Sequence, residues 1–305
     1  MPMSLLKIAP ENHDRTKLIG GSDVAGILGI SPWRTPLDVY LDKVQPRADQ
    51  PDQNKARLFA RGKRMEPYVI DLLAEEAGLQ IVGRGNRYID PEHGFLAAEI
   101  DAETSAGDNV EIKTVSPFKA KEWGEQQSDE VPLHYAAQAM HGLMVTGRGR
   151  CIFGVLIGAD DFRIYEVRRD EPTIAGIRAK EVEFWERVQR LDPPEPTTAT
   201  DVMRLYGQGD DAVAIEADDQ AETEWLRLKS ITEDLKRLGD QADQLKESLQ
   251  VRMGNATHLT LRGAVIATWK GQQARRFDST AFKAAHPDLH EQFVKVSQSR
   301  VFRLK

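Results

Sequence analysis

The chain has 305 residues, of which 40% are hydrophobic and 29% are charged, so it is long enough to bury a hydrophobic core and has the composition of a globular protein. Its longest apolar run, residues 151–159, is half of the ~18 residues that a membrane span needs, and the N-terminus has no long apolar segment that would direct export. We therefore expect a cytoplasmic protein without a membrane partner. The single cysteine, Cys151, excludes an intramolecular disulfide, a four-cysteine iron–sulfur cluster and a cysteine-rich zinc site.

The formal net charge of −7 hides an asymmetry along the chain. Residues 254–305 contain nine Lys and Arg but three Asp and Glu, a net charge of +6, so the remainder carries −13. This distribution suits a protein that concentrates carboxylates for metal ions and keeps phosphate-binding cations on one surface. The alternative is an ordinary solubilising surface, and charge alone favours that alternative.

The N-terminal quarter is predicted to be mainly helical. A pair of glycines allows a tight turn, after which Ser22 is expected to cap a helix over residues 23–28. A second helix is predicted from Pro36, and a longer one over residues 58–76.

Strands and helices alternate in the next hundred residues. The turn-rich sequence SAGDN separates two of the strands, which are expected to form a hairpin. Pro132 is predicted to open an amphipathic helix that ends at Gly147, and Asp170 to cap a helix that reaches residue 190. The predicted strands are residues 80–82, 87–89, 94–101, 110–115, 151–157 and 163–168. This order predicts an α/β fold with a mixed sheet flanked by helices.

A domain boundary is predicted at residues 191–200, where prolines and threonines interrupt both helix and strand patterns. Beyond it, seven apolar residues recur at alternating spacings of three and four, which predicts a long heptad helix that packs on the core or pairs with another helix. These residues are Leu228, Ile231, Leu235, Leu238, Ala242, Leu245 and Leu249. A hairpin over 258–270, a helix over 280–285 and a basic strand-like end are expected to follow.

Four polar residues form the strongest candidate for chemistry. Side chains alternate along a strand, so Glu111 and Lys113 are expected on one face, and the hairpin can place Asp101 beside Glu111. Adjacent carboxylates repel unless a cation stands between them, and a set of oxygen ligands that includes Glu66 suits Mg²⁺ or Mn²⁺. This motif alone is weak, because an exposed hairpin with a cross-strand ion pair has the same residues.

A longer series of motifs occurs in order along the chain. The series is Arg15, Ile19-Gly20-Gly21-Ser22-Asp23, Ser31-Pro32-Trp33, Arg61-Gly62-Lys63-Arg64-Met65-Glu66, Ile100-Asp101, Glu111-Ile112-Lys113-Thr114, Tyr135-Ala136-Ala137-Gln138 and Val145-Thr146-Gly147. Together these motifs, spread over residues 12–190, resemble the YqaJ-type viral recombinase family, which belongs with phage lambda exonuclease in the PD-(D/E)-x-K nuclease superfamily. The C-terminal tail is similar to an extension found on many phage members of that family.

The resemblance implies a role for each matching residue. Asp101, Glu111 and the Ile112 carbonyl would ligate the metals, and Glu66 would hold a second metal or its water shell. Lys113 would position the attacking water. Gln138 would contact the nucleophile or the scissile phosphate. The matching positions for the 5′-terminal phosphate are Arg15 and Ser22, and a hydroxyl at a helix N-terminus with a guanidinium nearby is a suitable anion site.

Two positions depart from the family pattern, and two side features are less specific. Ile100 replaces a common proline, which is harmless, whereas Glu99 replaces a serine that helps to hold the terminal phosphate and is expected to repel that phosphate. Trp33 is expected to be a core residue. A basic stripe for the DNA backbone, or a subunit surface, is predicted from Arg275, Arg276, Arg300 and Arg303.

The resemblance therefore implies a restriction-endonuclease-like nuclease domain over residues 1–192, a linker over 193–200, and a C-terminal extension over 201–305 with the heptad helix and the basic tail. The expected activity is Mg²⁺-dependent exonuclease digestion of linear double-stranded DNA, 5′ to 3′, with Mn²⁺ as a substitute. Its expected partners are DNA ends, a single-strand annealing protein and other subunits in a ring, in a bacterial cell that carries the phage or prophage. The alternatives are an endonuclease or structure-specific nuclease with the same site, and an inactive DNA-end-binding module.

Overall fold

A seven-stranded mixed sheet organises the first of two compact units, Met1–Leu205, in the computed structural model of the chain, which describes residues 6–8, 14–45, 53–296 and 299–305. The strands run in the order β1-β3-β4-β5-β6-β7, and β2 pairs in parallel with β4. Their bounds are β1 Leu6–Ile8, β2 Ile19–Gly20, β3 Ile81–Ile89, β4 Leu96–Thr104, β5 Asn109–Val115, β6 Arg150–Ile157 and β7 Asp161–Arg168. The β5–β6 pair is also parallel, and the other neighbours are antiparallel.

Helices cover both faces of this sheet. Accordingly, side chains of β6 alternate between two hydrophobic clusters, one on each face. Ile152 and Leu156 pack with α3 residues such as Leu73, whereas Phe153 and Val155 lie in the cluster that includes α4. The helices of the first unit are α1 Gly21–Ile27, α2 Pro36–Val44, α3 Gln53–Glu76, α4 Leu133–Thr146, α5 Glu171–Arg190 and, at its end, α6 Ala199–Tyr206. The predicted fold class, a mixed sheet flanked by helices, is confirmed.

Several boundaries differ from the predicted ones. The two short strands expected at 80–82 and 87–89 are one strand, β3, with a register shift between Ile81 and Gly83. The hairpin strand β4 continues beyond Asp101 to Thr104. Gly20, not Ser22, is the N-cap of α1, because the Asp23 carboxylate accepts a hydrogen bond from the Gly20 amide and the helix begins one residue earlier than Ser22.

The second unit, Tyr206–Lys305, contains the long helix α7, Asp219–Met253, and a small hairpin. Its remaining elements are β8 His258–Leu261, β9 Ala264–Thr268, α8 Ser279–Ala285 and α9 Pro287–Gln292. The heptad leucines of α7 are exposed, from Leu228 to Leu249. Residues 299–305 have no strand, so the expectation of a strand-like end is wrong for these residues, and 297–298 lie outside the described residues. The domain bounds predicted at 192, 193–200 and 201 stay a prediction.

Candidate active site

The site lies where β4 and β5 diverge. The two strands pair only at Ala102–Val110 and Glu103–Asn109. One residue beyond these pairs, the Asp101 carboxylate enters the gap, and its Oδ2 accepts a hydrogen bond from the Ile112 amide at 2.8 Å. The strands therefore hold Asp101 next to the backbone of the residue that follows Glu111.

Glu111 is the centre of a hydrogen-bonded group on one face of β5. Its Oε1 accepts from Lys113 Nζ at 2.5 Å and from Gln138 Nε2 on α4 at 2.5 Å. Lys113 Nζ also donates to Gln138 Oε1 at 3.2 Å and lies 4.8 Å from the centre of the Tyr135 ring. The alternation along β5 thus confirms the predicted common face of Glu111 and Lys113, and it brings Gln138 to both.

The electrostatics of this group follow from burial and like charge. Burial raises the pKa of Asp101 to about 8, and the Glu111 carboxylate adds to the rise, so the protonated acid is favoured. Burial alone would lower the pKa of Lys113, but Glu111 and Asp101 outweigh burial and the pKa is raised overall, which keeps the amine charged. Two acids and one amine therefore share a weakly solvated space.

Glu66 reaches the same space from α3. Its carboxylate accepts from Lys63 Nζ at 2.9 Å through both oxygens. The negative charge of Glu66 contributes to the raised pKa of Asp101. Burial alone would lower the pKa of Lys63, but its contact with Glu66 and the charges of Asp101 and Glu99 raise it overall. Lys63 is therefore a sixth polar residue of the site, and no role was predicted for it from its motif.

A divalent cation suits this donor set, although the acids do not form a finished cage. Among the residues that the structure describes, no three His, Cys, Asp or Glu side chains converge closely enough to hold an ion as they stand. Buried Glu111 and partly buried Asp101 nevertheless offer oxygens that repel each other, which is the arrangement a hard cation relieves. Ile112 is placed by its amide contact with Asp101, and its side chain packs in the cluster that includes α3.

Arg15 and Ser22, predicted to bind an anion, are in direct contact. Arg15 Nη2 donates to Ser22 Oγ at 2.9 Å. Behind them, buried Lys43 donates to the Arg15 carbonyl oxygen at 2.8 Å and to Asp23 Oδ2 at 2.7 Å. Arg34 also pairs with Asp23, at 3.0 Å, so the segment that carries Arg15 is fixed to the start of α1 by charged contacts.

One cavity of about 220 Å³ connects the anion site with the acids. Its lining residues include Arg15, Ser22, Arg87, Glu99, Asp101, Glu111 and Gln138. The close approach of α1 to α4 depends on Gly21, because a Cβ there would lie 3.1 Å from Gln138 Cγ. Residues from five elements (α1, β3, β4, β5 and α4) and the N-terminal segment thus meet in one cavity.

One aromatic side chain lies elsewhere than predicted, and one imidazole is deeply buried. Trp33 is 59% exposed, and the centroid of its ring lies 4.8 Å from that of His134, so the expectation of a core residue is wrong. His141, by contrast, is fully buried. Its Nδ1 lies 2.7 Å from Glu181 Oε1 and its Nε2 lies 2.9 Å from the Ala97 carbonyl oxygen. The partner from α5 could not be found from the sequence of α4.

The four C-terminal arginines are exposed in the second unit. Arg275 and Arg276 lie between β9 and α8, and Arg300 and Arg303 lie in the irregular tail. Their exposure permits contact with DNA, and the basic stripe stays a prediction.

Residues 12–149, which include Arg15, both acids of β4 and β5 and Gln138, match the model of the YqaJ-like viral recombinase domain. The whole chain is also similar to the uncharacterized protein YqaJ of Bacillus subtilis strain 168, with 29% identity over 301 residues that cover 96% of this chain and 92% of that protein.

Solved structures that are similar to this chain include two exonucleases. One is an alkaline exonuclease from Laribacter hongkongensis, with 16% identity, a TM-score of 0.46, and coverage of 58% of this chain and 91% of that one. The other is a phage-related exonuclease from Haemophilus somnus 129PT, with 15% identity, a TM-score of 0.40, and coverage of 57% and 94%. Among the described residues, the helices are too short or too polar to cross a membrane.

Proposed function

We propose that the protein is a Mg²⁺-dependent exonuclease that degrades one strand of linear double-stranded DNA from its end. The main support is the cavity that Arg15 and Ser22 share with Asp101, Glu111 and Gln138. A guanidinium and a hydroxyl suit a terminal phosphate, and paired acids with an amine suit hydrolysis of a phosphodiester.

The residues have distinct proposed roles. Asp101, Glu111 and the Ile112 carbonyl would hold Mg²⁺ or Mn²⁺, with Glu66 at a second ion or its water shell. The ion, when bound, would lower the pKa of a water molecule and neutralise charge on the phosphodiester. Lys113 would orient that water and stabilise negative charge from its place between Glu111 and Gln138.

The proposed direction of digestion is supported by the proposed position of the end site. A strand whose 5′-phosphate lies at Arg15 and Ser22 would present a neighbouring phosphodiester to the acids of the same cavity. Digestion would then run 5′ to 3′ and leave 3′ single strands, which an annealing protein would use in phage-type recombination. We also propose a ring of subunits, a bacterial host cytoplasm, and DNA-backbone contacts by Arg275, Arg276, Arg300 and Arg303.

The decisive experiment compares end-labelled linear, nicked and closed-circular DNA with Mg²⁺, Mn²⁺ or EDTA. Loss of the 5′ label from linear duplex, with closed circles intact, is the expected result. Cleavage of closed circles would identify an endonuclease instead. Binding of ends without hydrolysis would identify an inactive end-binding module.

Lys113→Ala tests the site. We expect hydrolysis to fall by about 100-fold or more, because a donor aimed at the reacting group is lost. The measurement is single-turnover digestion of linear duplex. Lys180→Ala is the control, since Lys180 is exposed on α5 and pairs with Glu183. Equal rates for Lys113→Ala and Lys180→Ala would contradict the proposed role of Lys113.

A further inference from the structure

Arg87 and Glu99 form a cross-strand pair at the mouth of the same cavity. They lie directly opposite each other on β3 and β4, and Arg87 Nη2 is 2.7 Å from Glu99 Oε2. The Arg87 side chain is 17% exposed and that of Glu99 is 48% exposed. Both line the cavity together with Arg15 and Ser22.

Two acids in the cavity lining differ in their ion-pair partners. Asp23, one of these acids, is already paired with Lys43 and Arg34. Glu99 has one ion-pair partner among the described residues, which is Arg87. A phosphate that enters beside Arg15 would therefore meet the negative charge of Glu99, unless Glu99 turns outward and gives up the guanidinium.

The difference in exposure sets which partner moves. Glu99 is half exposed, so its carboxylate exchanges a guanidinium for water at little cost, because ion pairs near a surface contribute little to stability. Arg87 is more buried and stays in the lining. A guanidinium offers a planar set of donors that matches phosphate oxygens as well as carboxylate oxygens.

We propose that Arg87 is a further binding residue for the 5′-terminal phosphate, and that Glu99 holds its guanidinium in place until the phosphate displaces the carboxylate. This inference rests on the proposed function and identifies how the end is recognised. The expected repulsion by Glu99 is thereby converted into an exchange of one anion for another at Arg87.

The test measures binding without hydrolysis, so that it does not depend on the nuclease chemistry. Duplexes that differ only in a 5′-phosphate or a 5′-hydroxyl are titrated with the full chain in EDTA, and the ratio of the two Kd values is compared among variants. Arg87→Gln should reduce the preference for the phosphate by about tenfold or more, as expected when a hydrogen bond to a charged group is lost. Glu99→Gln should change the ratio in the opposite sense, because the competing carboxylate is gone.

Arg84→Gln is the matched control, because Arg84 lies on the same strand but pairs with exposed Asp71 and does not line the cavity. It should leave the ratio unchanged. Arg87→Lys keeps a positive charge opposite Glu99 and should retain part of the preference, so it carries the comparison if Arg87→Gln does not fold.

The possible results separate this inference from the proposed function. An unchanged ratio in Arg87→Gln and Arg87→Lys would overturn it, and so would a loss of preference in Glu99→Gln, since the pair would then be structural. Altered ratios in a protein that never hydrolyses DNA would support Arg87 while refuting the nuclease. Hydrolysis by a wild-type chain that ignores the 5′-phosphate would refute phosphate binding by Arg87, and with it the end site at Arg15 and Ser22, while leaving the nuclease activity in place.

Discussion

At the scale of the residue, Asp101 has the most unusual chemistry in the site. Its carboxyl is buried near Glu111, and its pKa is raised to about 8 from an ordinary value of 3.8. The folded chain thus binds this proton more tightly than the unfolded chain. Protonation of Asp101 therefore stabilises the folded state fully at pH values below its ordinary pKa, and this stabilisation is lost as the pH rises through its pKa in the folded state.

This sign gives a prediction for Asp101→Asn. In EDTA at pH 8.5 the Tm of the variant should lie several degrees above that of the wild type, because an uncharged amide at this position avoids the buried negative charge. The amide oxygen can still accept the hydrogen bond from the Ile112 amide. At this chain length, each kcal/mol of stability shifts Tm by about 2–4 °C. The difference should vanish near pH 4. Thermal melts from pH 4 to 9 measure it, with Asp71→Asn on exposed α3 as the control. A lower Tm for Asp101→Asn at pH 8.5 would refute the interpretation.

At the scale of the element, a buried ionisable pair ties α4 to α5 behind the site. His141 and Glu181 are both fully buried and 2.7 Å apart, and His141 also contacts the β4 carbonyl of Ala97. Burial alone would lower the pKa of His141, but Glu181 reverses this effect and raises it. The pair joins α4, which carries Gln138, to α5, and the contact with Ala97 joins α4 to the strand that carries Asp101.

Glu181→Ala should therefore destabilise the chain by about 3–5 kcal/mol, the usual range when one partner of a buried pair is removed. Urea denaturation of the metal-free chain at pH 6 measures the change. Glu183→Ala, an exposed acid two residues along the same helix, should stay within about 0.5 kcal/mol of the wild type. Equal effects of the two substitutions would mean that the pair does not hold these helices.

The sequence predicts elements better than it predicts contacts between them. Strict alternation along β5 was sufficient to place Glu111 and Lys113 on one face, because the period of a strand is local. The Arg87–Glu99 pair depends on the register of β3 against β4, because a slip of one residue would place the two side chains on opposite faces of the sheet. The burial of His141 depends on a partner 40 residues away, and the N-cap of α1 is Gly20 rather than Ser22 because the Asp23 carboxylate accepts a hydrogen bond from the Gly20 amide.

At the scale of the whole molecule, the basic residues 254–305 are expected to add affinity for DNA without adding chemistry. Changing Arg275, Arg276, Arg300 and Arg303 to Gln should weaken DNA binding at all sequences and reduce the slope of log K against log salt by up to about 4. The single-turnover rate on saturating DNA should stay near that of the wild type. Titrations at several salt concentrations check this prediction, and an unchanged slope would assign these arginines to another role.

The narrow junction between β4 and β5 has a mechanical consequence. Two residue pairs join them, whereas seven pairs join β5 to β6 and eight join β6 to β7. The sheet thus has two parts that are joined by the short β4–β5 pairing, with Asp101 in one part and Glu111 in the other. An ion bound by both carboxylates would link the two parts of the sheet, so that binding of the ion would also make the sheet more rigid.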